Sequence, residues 1–254
     1  VYNNVEDENN LLDITLEEMI QTFETSMQKT SAGTITVEFL GGEPFLFINR
    51  LENICEYIVT NYPNHKFRFI TSTNGTIYSD RVIDIIEKYN ILLCISIDGN
   101  KVSHNSNRIM RTGKGSYDYI VDNINNFVKS GRNPIAHFTI NRLNIGYLKE
   151  GITNLINLGF KRIEFGFVSA DYNIIRDQYI NLMTEYIISG YFNKHQIIVE
   201  NMCNTNVKAY FTIQNKDGNG QLISEERFNS DKLTERQKVD IKLAELYHQY
   251  ENQY

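Results

Sequence analysis

The chain has 254 residues with 31 acidic and 25 basic side chains, a formal net charge of −6. A surface that binds phosphates carries a basic excess, so this charge argues against nucleic acid as the main partner. The 41% hydrophobic and 22% charged residues are those of an ordinary soluble globular protein. No apolar run approaches the roughly 18 residues of a membrane span and no signal peptide opens the chain, so the expectation is an intracellular, cytoplasmic protein without a membrane partner.

In chain order, the first predicted helix is announced by Thr15-Leu16-Glu17-Glu18, a capping box in which the threonine hydroxyl and the Glu18 carboxylate satisfy free amides. "TITVEFLGG" then reads as a strand, "INRLENICEYIVTNY" as a helix and "KFRFITSTNG" as a second strand. "DRVIDIIEKYN" is a short amphipathic helix, and "ILLCISIDG" a third strand. "YDYIVDNINNFVKSG" is a helix ending at Gly131, "PIAHFTINRLN" a strand, "LKEGITNLINLGF" a helix and "KRIEFGFVSA" a strand. Strands separated by helices of this length need crossover connections, so the sheet is expected to be parallel.

Beyond Asp171 the rhythm changes. "RDQYINLMTEYIISGYF" reads as a helix outside the alternation, and "AYFTIQNKDGNGQLISEERF" as a hairpin turning at Asp217-Gly218-Asn219-Gly220. The tail from Thr234 carries one apolar stripe, Val239, Leu243, Leu246 and Tyr250, and reads as a docking helix. Cys55, Cys94 and Cys203 are far apart; the first two fall in a helical and a strand pattern and read as small buried hydrophobes.

Polar residues gather at the predicted strand ends: Gly41-Gly42-Glu43, Ser72-Thr73-Asn74-Gly75, Ser96-Ile97-Asp98-Gly99 and Asn141-Arg142-Leu143-Asn144. Each alone is ordinary turn chemistry. Four in register form a ring at the carboxyl ends of parallel strands, where functional residues of such folds lie. The ring suits a polar small molecule with an amine, hydroxyls and a carboxylate.

"FLGGEPFL", "STNGT", "SIDG", "SHNSNRIMRTGKGSYD" and "TINRLN", in that order, resemble the radical S-adenosylmethionine (radical SAM) superfamily over about residues 10 to 170. The closest similarity is to its peptide- and protein-modifying branch with SPASM-type C-terminal extensions. The resemblance implies an α/β fold, a partial (β/α)6 TIM-like barrel of parallel strands whose first strand is missing here. Residues 1–170 would form that partial barrel, and 171–254 an extension with a degenerate SPASM-like hairpin. It further implies that Gly41, Gly42 and Glu43 receive the methionine ammonium of S-adenosylmethionine. Ser72 and Asn74 would line the methionyl group, while Ser96 and Asp98 approach the ribose. Arg108, with Arg111 as the weaker rival, would pair with the carboxylate, and Asn141 and Asn144 would edge the adenosine side.

The family's reaction needs a [4Fe–4S] cluster on a CxxxCxxC loop, three thiolates holding three irons while the cofactor chelates the fourth. An electron donor then reduces the cluster, and cleavage of the cofactor gives a 5′-deoxyadenosyl radical that abstracts a substrate hydrogen. No such triplet occurs in the sequence. "VYNNVEDENN" resembles the segment immediately after the third cysteine in relatives, so the loop is expected to precede this chain. Cys203 alone cannot hold an auxiliary cluster, and no metal ligand is expected in this chain. The leading expectation is a radical SAM enzyme acting on a peptide or protein, inactive as these residues alone. The alternative is a cluster-free pseudoenzyme that binds S-adenosylmethionine or a peptide as a scaffold or regulator.

Overall fold

The computed structural model describes residues 15–28, 34–202, 209–216, 222–230 and 235–251. The chain divides into two compact units, Val1–Val168 and Ser169–Tyr254.

The first unit opens with α1 (Leu16–Met27), and the capping box is present: the Glu18 amide donates to Thr15 Oγ1 at 3.2 Å and the Thr15 amide to Glu18 Oε2 at 2.7 Å. Then come β1 (Thr34–Phe39), α2 (Ile48–Asn61), β2 (Lys66–Thr73), α3 (Asp80–Lys88), β3 (Leu92–Ser96), α4 (Lys101–Asn107), α5 (Tyr117–Lys129), β4 (Ile135–Ile140), α6 (Leu148–Asn157) and β5 (Arg162–Phe167). All five predicted strands form and pair in parallel in chain order. Among the described residues β1 pairs only with β2.

Register decides which side chains share a face. Ile95, Ala136 and Ile163 form one row across β3, β4 and β5, and all three are fully buried. The helices lie on this side. The Phe138 ring, in the same set of positions, meets Gly151 of α6 so closely that a Cβ on the glycine would be 2.8 Å from it. Ile120 and Ile124 of α5 flank Ile95 around Gly75, where a positive φ of 79° requires glycine. Burial of the isoleucine, valine and leucine side chains of this layer, at about 1.5–3 kcal/mol each, is its main driving force. Toward the strand ends the opposite face is polar: Ser96, His137 and Glu164 form a half-buried row there, next to the buried pair Cys94 and Ile135.

One element was not legible from periodicity. α4, "KVSHNSN", has no apolar repeat; it is started by Asn100, whose side chain accepts the Ser103 amide at 2.9 Å.

The second unit contains α7 (Tyr172–Ile188), α8 (Tyr191–His195), β6 (Ile198–Val199), the antiparallel pair β7 (Ala209–Lys216) and β8 (Leu222–Ser230), and α9 (Glu235–Glu251). α7 starts four residues before the predicted Arg176, and Gly190, with a φ of 65°, separates it from α8. The most buried residues of α9 are Leu243, Ala244 and Tyr247; Val239, Leu246 and Tyr250 of the predicted stripe are half-buried. Cys203 and the predicted turn at 217–220 lie outside the described residues.

Candidate functional site

Parallel pairing puts the residues after β1, β2, β3 and β4 at one end of the sheet. Two hydrogen-bonded clusters stand there. In the first, Glu43 caps the tight turn Pro44–Phe47 and is 4% exposed. Its carboxylate accepts the Phe45 amide at 3.2 Å, the Asn74 amide at 2.8 Å and the Thr73 hydroxyl at 2.9 Å. Burial pushes its pKa up, against the opposite pull of the Asn74, Thr73 and Phe45 donors. Glu43 therefore staples the end of β1 to the end of β2. Thr73 belongs to the helix-covered face, so the carboxylate is turned that way. Gly41 is exposed, and a Cβ there would meet nothing within 4 Å. The chain's own packing does not demand a glycine at 41. Asn74 is half-buried and accepts the Thr76 amide at 2.9 Å.

The second cluster is built around Asp98, 1% exposed. One carboxylate oxygen accepts Arg108 Nε at 2.9 Å and Asn107 Nδ2 at 3.4 Å; the other accepts Arg108 Nη2 at 3.0 Å and the Thr139 amide at 2.9 Å. Two parallel bonds fix the guanidinium plane as no single contact could. Arg108 keeps 28% of its side chain exposed, and Nη1 takes no partner from the carboxylate. Asn107 also accepts Asn141 Nδ2 at 2.7 Å. Asn144 is fully buried: its side-chain amide donates to the Thr139 carbonyl at 2.8 Å and accepts the Asn141 amide at 2.9 Å, closing the loop after β4. Arg111 lies exposed on the neighbouring loop that the Ile109–Gly115 bridge closes.

His104, fully buried on α4, supports this cluster from behind. The Asp98 amide donates to its Nδ1 at 3.2 Å, so the proton is on Nε2, which donates to Ser116 Oγ at 2.9 Å. Ser116 in turn donates to the Arg108 carbonyl at 3.0 Å. Burial lowers the His104 pKa to about 4, with Asp98 pulling it up and Arg108 pushing it down. The imidazole is a neutral brace between the Asp98 backbone and the strap carrying Arg108.

Ser72 and Ser96 are half-buried on the polar face, and their hydroxyls take no hydrogen bond among the described residues. The structure thus gathers Glu43 with Asn74, and Asp98 with Arg108, Asn141 and Asn144. Sequence reasoning did not single out Thr73, His104, Asn107 or Thr139 for these clusters, although each lies inside or beside a quoted motif. A groove of about 370 Å³ lies elsewhere, lined by Met19, Phe23, Val37, Phe39, Ile54 and Ile58 of α1, β1 and α2. It carries none of the polar residues at the strand ends.

The Radical SAM superfamily profile matches residues 6–148, more than half of the chain. The chain belongs to the radical SAM superfamily. It is 32% identical over 134 residues to an uncharacterized protein of Methanocaldococcus jannaschii, covering 52% of this chain and 46% of that protein. It therefore spans about half the length of the curated relative it matches. Among solved structures it is similar to anSMEcpe with bound AdoMet and the Cp18Cys peptide (TM-score 0.65, 17% identity, 74% of this chain and 56% of that one). It is also similar to Streptococcus suis SuiB bound to the precursor peptide SuiA (TM-score 0.51, 14% identity, 70% of this chain and 40% of that one). At these identities the likeness is one of fold, and it agrees with the partial barrel of parallel strands.

Membership in the radical SAM superfamily implies S-adenosylmethionine and a [4Fe–4S] cluster. The donor set fits the first: an exposed Gly41, the half-buried hydroxyls of Ser72 and Ser96, and a guanidinium edge on Arg108 stand at one end of the sheet. It does not fit the second. Among the described residues no three His, Cys, Asp or Glu side chains are grouped to hold a metal ion. Cys55 and Cys94 are buried in different elements, and burial pushes the Cys55 thiol up to about 12, so it stays protonated rather than a thiolate ligand. No helix among the described residues is long and apolar enough to cross a membrane.

Proposed function

We propose that this chain is the S-adenosylmethionine-binding part of a radical SAM enzyme that modifies a peptide or protein. The observation that carries the reading is Arg108, fixed by two bonds to buried Asp98 with Nη1 left over for an anion. A carboxylate is the group a planar guanidinium edge recognises best. The methionine carboxylate of the cofactor would take that edge, and the exposed carbonyls of Gly41 and Gly42 would take its ammonium.

Residues whose polar atoms are already engaged act through others. Asp98 aims Arg108, Asn144 shapes the loop that presents Asn141, and Glu43 holds the strand end beneath the glycines while adding negative charge near the ammonium. Ser72 and Asn74 would line the methionyl group and Ser96 the ribose; Asn141, whose Oδ1 accepts the Leu143 and Asn144 amides and whose Nδ2 donates to Asn107, keeps one Nδ2 hydrogen for the adenosine edge. S-adenosylmethionine would supply a hydrogen-abstracting radical only on receiving an electron from a [4Fe–4S] cluster, whose ligands are not grouped among the described residues. The chain's own contribution is to hold the cofactor at the mouth of the polar face and keep that face open to a substrate. A peptide or protein substrate is supported by the two structural neighbours, anSMEcpe bound to the Cp18Cys peptide and SuiB bound to SuiA. On this reading the first unit is the cofactor-binding barrel and the second a reduced extension.

The second reading is a cluster-free protein that binds S-adenosylmethionine as a scaffold or regulator. A CxxxCxxC loop encoded in frame ahead of Val1 would decide for the enzyme; a start codon there would decide for the scaffold. For either reading, equilibrium dialysis with S-adenosylmethionine is the test. Arg108→Ala should weaken binding by about 1.5–3 kcal/mol, the worth of a hydrogen bond to a charged group. Equal affinity in wild type and variant would sink the assignment of this site.

A further inference from the structure

We propose that His137 and Glu164 form the seat for the substrate, taking an N–H or O–H donor of a peptide; the proposal deepens the peptide-modifying reading above and rests on it. Ser96, His137 and Glu164 are register partners on three adjacent parallel strands, so their side chains stand in one row about 4.8 Å apart on one face. This is the face without the helices, and it continues toward the strand ends through Thr139, whose amide holds Asp98. The seat is therefore on the same open side as the hydroxyls assigned to the cofactor.

Two details mark the pair as more than a solvated surface. His137 Nδ1 is 3.8 Å from Glu164 Oε2, close enough for attraction but too far for a hydrogen bond, so neither group's bonding capacity is taken by the other. The side chains are 36% and 38% exposed. Holding a carboxylate and an imidazole half-desolvated on a sheet face costs free energy that apolar residues of the same size would avoid. Second, Gly166 makes room for the ring. A Cβ at 166 would be 2.7 Å from His137 Nε2 and 3.7 Å from Thr139 Oγ1. The φ of Gly166 is not positive, so its backbone does not need glycine; a Cβ there would push the His137 ring out of its present position.

A carboxylate accepts only, and the two imidazole nitrogens can accept or donate. That set recognises a group rich in donors: a peptide amide, a side-chain hydroxyl or an amine.

The experiment uses the full-length protein with ¹³C-labelled histidine, the His137 signal being assigned from the spectrum of His137→Gln. The probes are N-acetylated pentapeptide amides with Ser, Cys, Asn or Lys between glycines. At least one should shift the His137 resonance saturably. Glu164→Gln and Gly166→Ala should each weaken that peptide about tenfold, while S-adenosylmethionine affinity measured separately stays within about twofold of wild type. Peptide affinity in His137→Gln and Glu164→Gln equal to that of wild type, or no peptide that moves the signal, would overturn the proposal. A wild type that binds peptide through His137 but takes no S-adenosylmethionine would leave the seat standing and sink the cofactor reading.

Discussion

Replacing Asp98 by alanine removes the acceptor that organises the second cluster. The carboxylate is 1% exposed and holds Arg108 at 2.9 and 3.0 Å, the Thr139 amide at 2.9 Å and Asn107 at 3.4 Å. Breaking a buried pair by deleting one member costs about 3–5 kcal/mol, because the other charge stays behind uncompensated. Arg108 retains 28% exposure, so water recovers part of that loss and the lower end applies, about 3 kcal/mol. In urea, with a slope of roughly 2 kcal/mol/M, the unfolding midpoint should fall by about 1.5 M. Asp98→Asn keeps the shape and one acceptor, and should lose about 2 kcal/mol. Arg108→Ala should cost a similar amount, and the double variant should cost less than the sum of the singles by at least about 1 kcal/mol, since the two groups are in direct contact. A loss below about 1 kcal/mol for Asp98→Ala, or strict additivity in the double variant, would refute the argument that this pair is a single device.

His104 gives a pH signature. It is neutral when folded, with a pKa lowered to about 4 from 6.5, so between those values the unfolded chain binds the extra proton. Its stability contribution is complete above pH 6.5 and falls as pH drops toward 4, by on the order of 3 kcal/mol across the window, and His104→Gln should flatten that part of the urea midpoint-versus-pH curve. Gly151→Ala places a methyl 2.8 Å from the Phe138 ring and 3.1 Å from the Gly99 Cα; overpacking of about 1–3 kcal/mol exceeds the helix-propensity gain of roughly 1, so thermal melting should show a net loss. Thr15→Ala removes the hydroxyl half of the α1 capping box and should cost about 1 kcal/mol in the same melts. Glu43→Ala should weaken S-adenosylmethionine binding in dialysis, with the strand ends it staples losing amide protection at Asn74 in hydrogen exchange.

The strands were readable because each is a run of β-branched and aromatic residues that must be apolar on the covered face, and the helices because their apolar residues recur at the period that meets it. α4 was not, since seven residues held by an Asn100 cap leave no periodic trace. The site was half legible. Chain order located the polar strand ends, but not which polar atoms each side chain would already have engaged. Glu43, Asp98 and Asn144 all read as ligand-facing from their positions, yet their oxygens and nitrogens are bound to Thr73, Arg108 and Thr139. Such distinctions depend on side-chain direction at a strand end, where alternation stops and a turn takes over. His137 was hidden for the opposite reason: within its strand it breaks an apolar run by one residue, and its importance depends on Glu164, a neighbour across the sheet and not along the chain.

A crystal structure of the full-length protein grown with S-adenosylmethionine tests the central claim most directly. The account predicts the methionine carboxylate within hydrogen-bonding distance of Arg108 Nη1, and the ammonium at the carbonyls of Gly41 and Gly42. The cofactor lodged in the apolar groove between α1 and β1, or bound with Arg108 facing no part of it, would contradict the account.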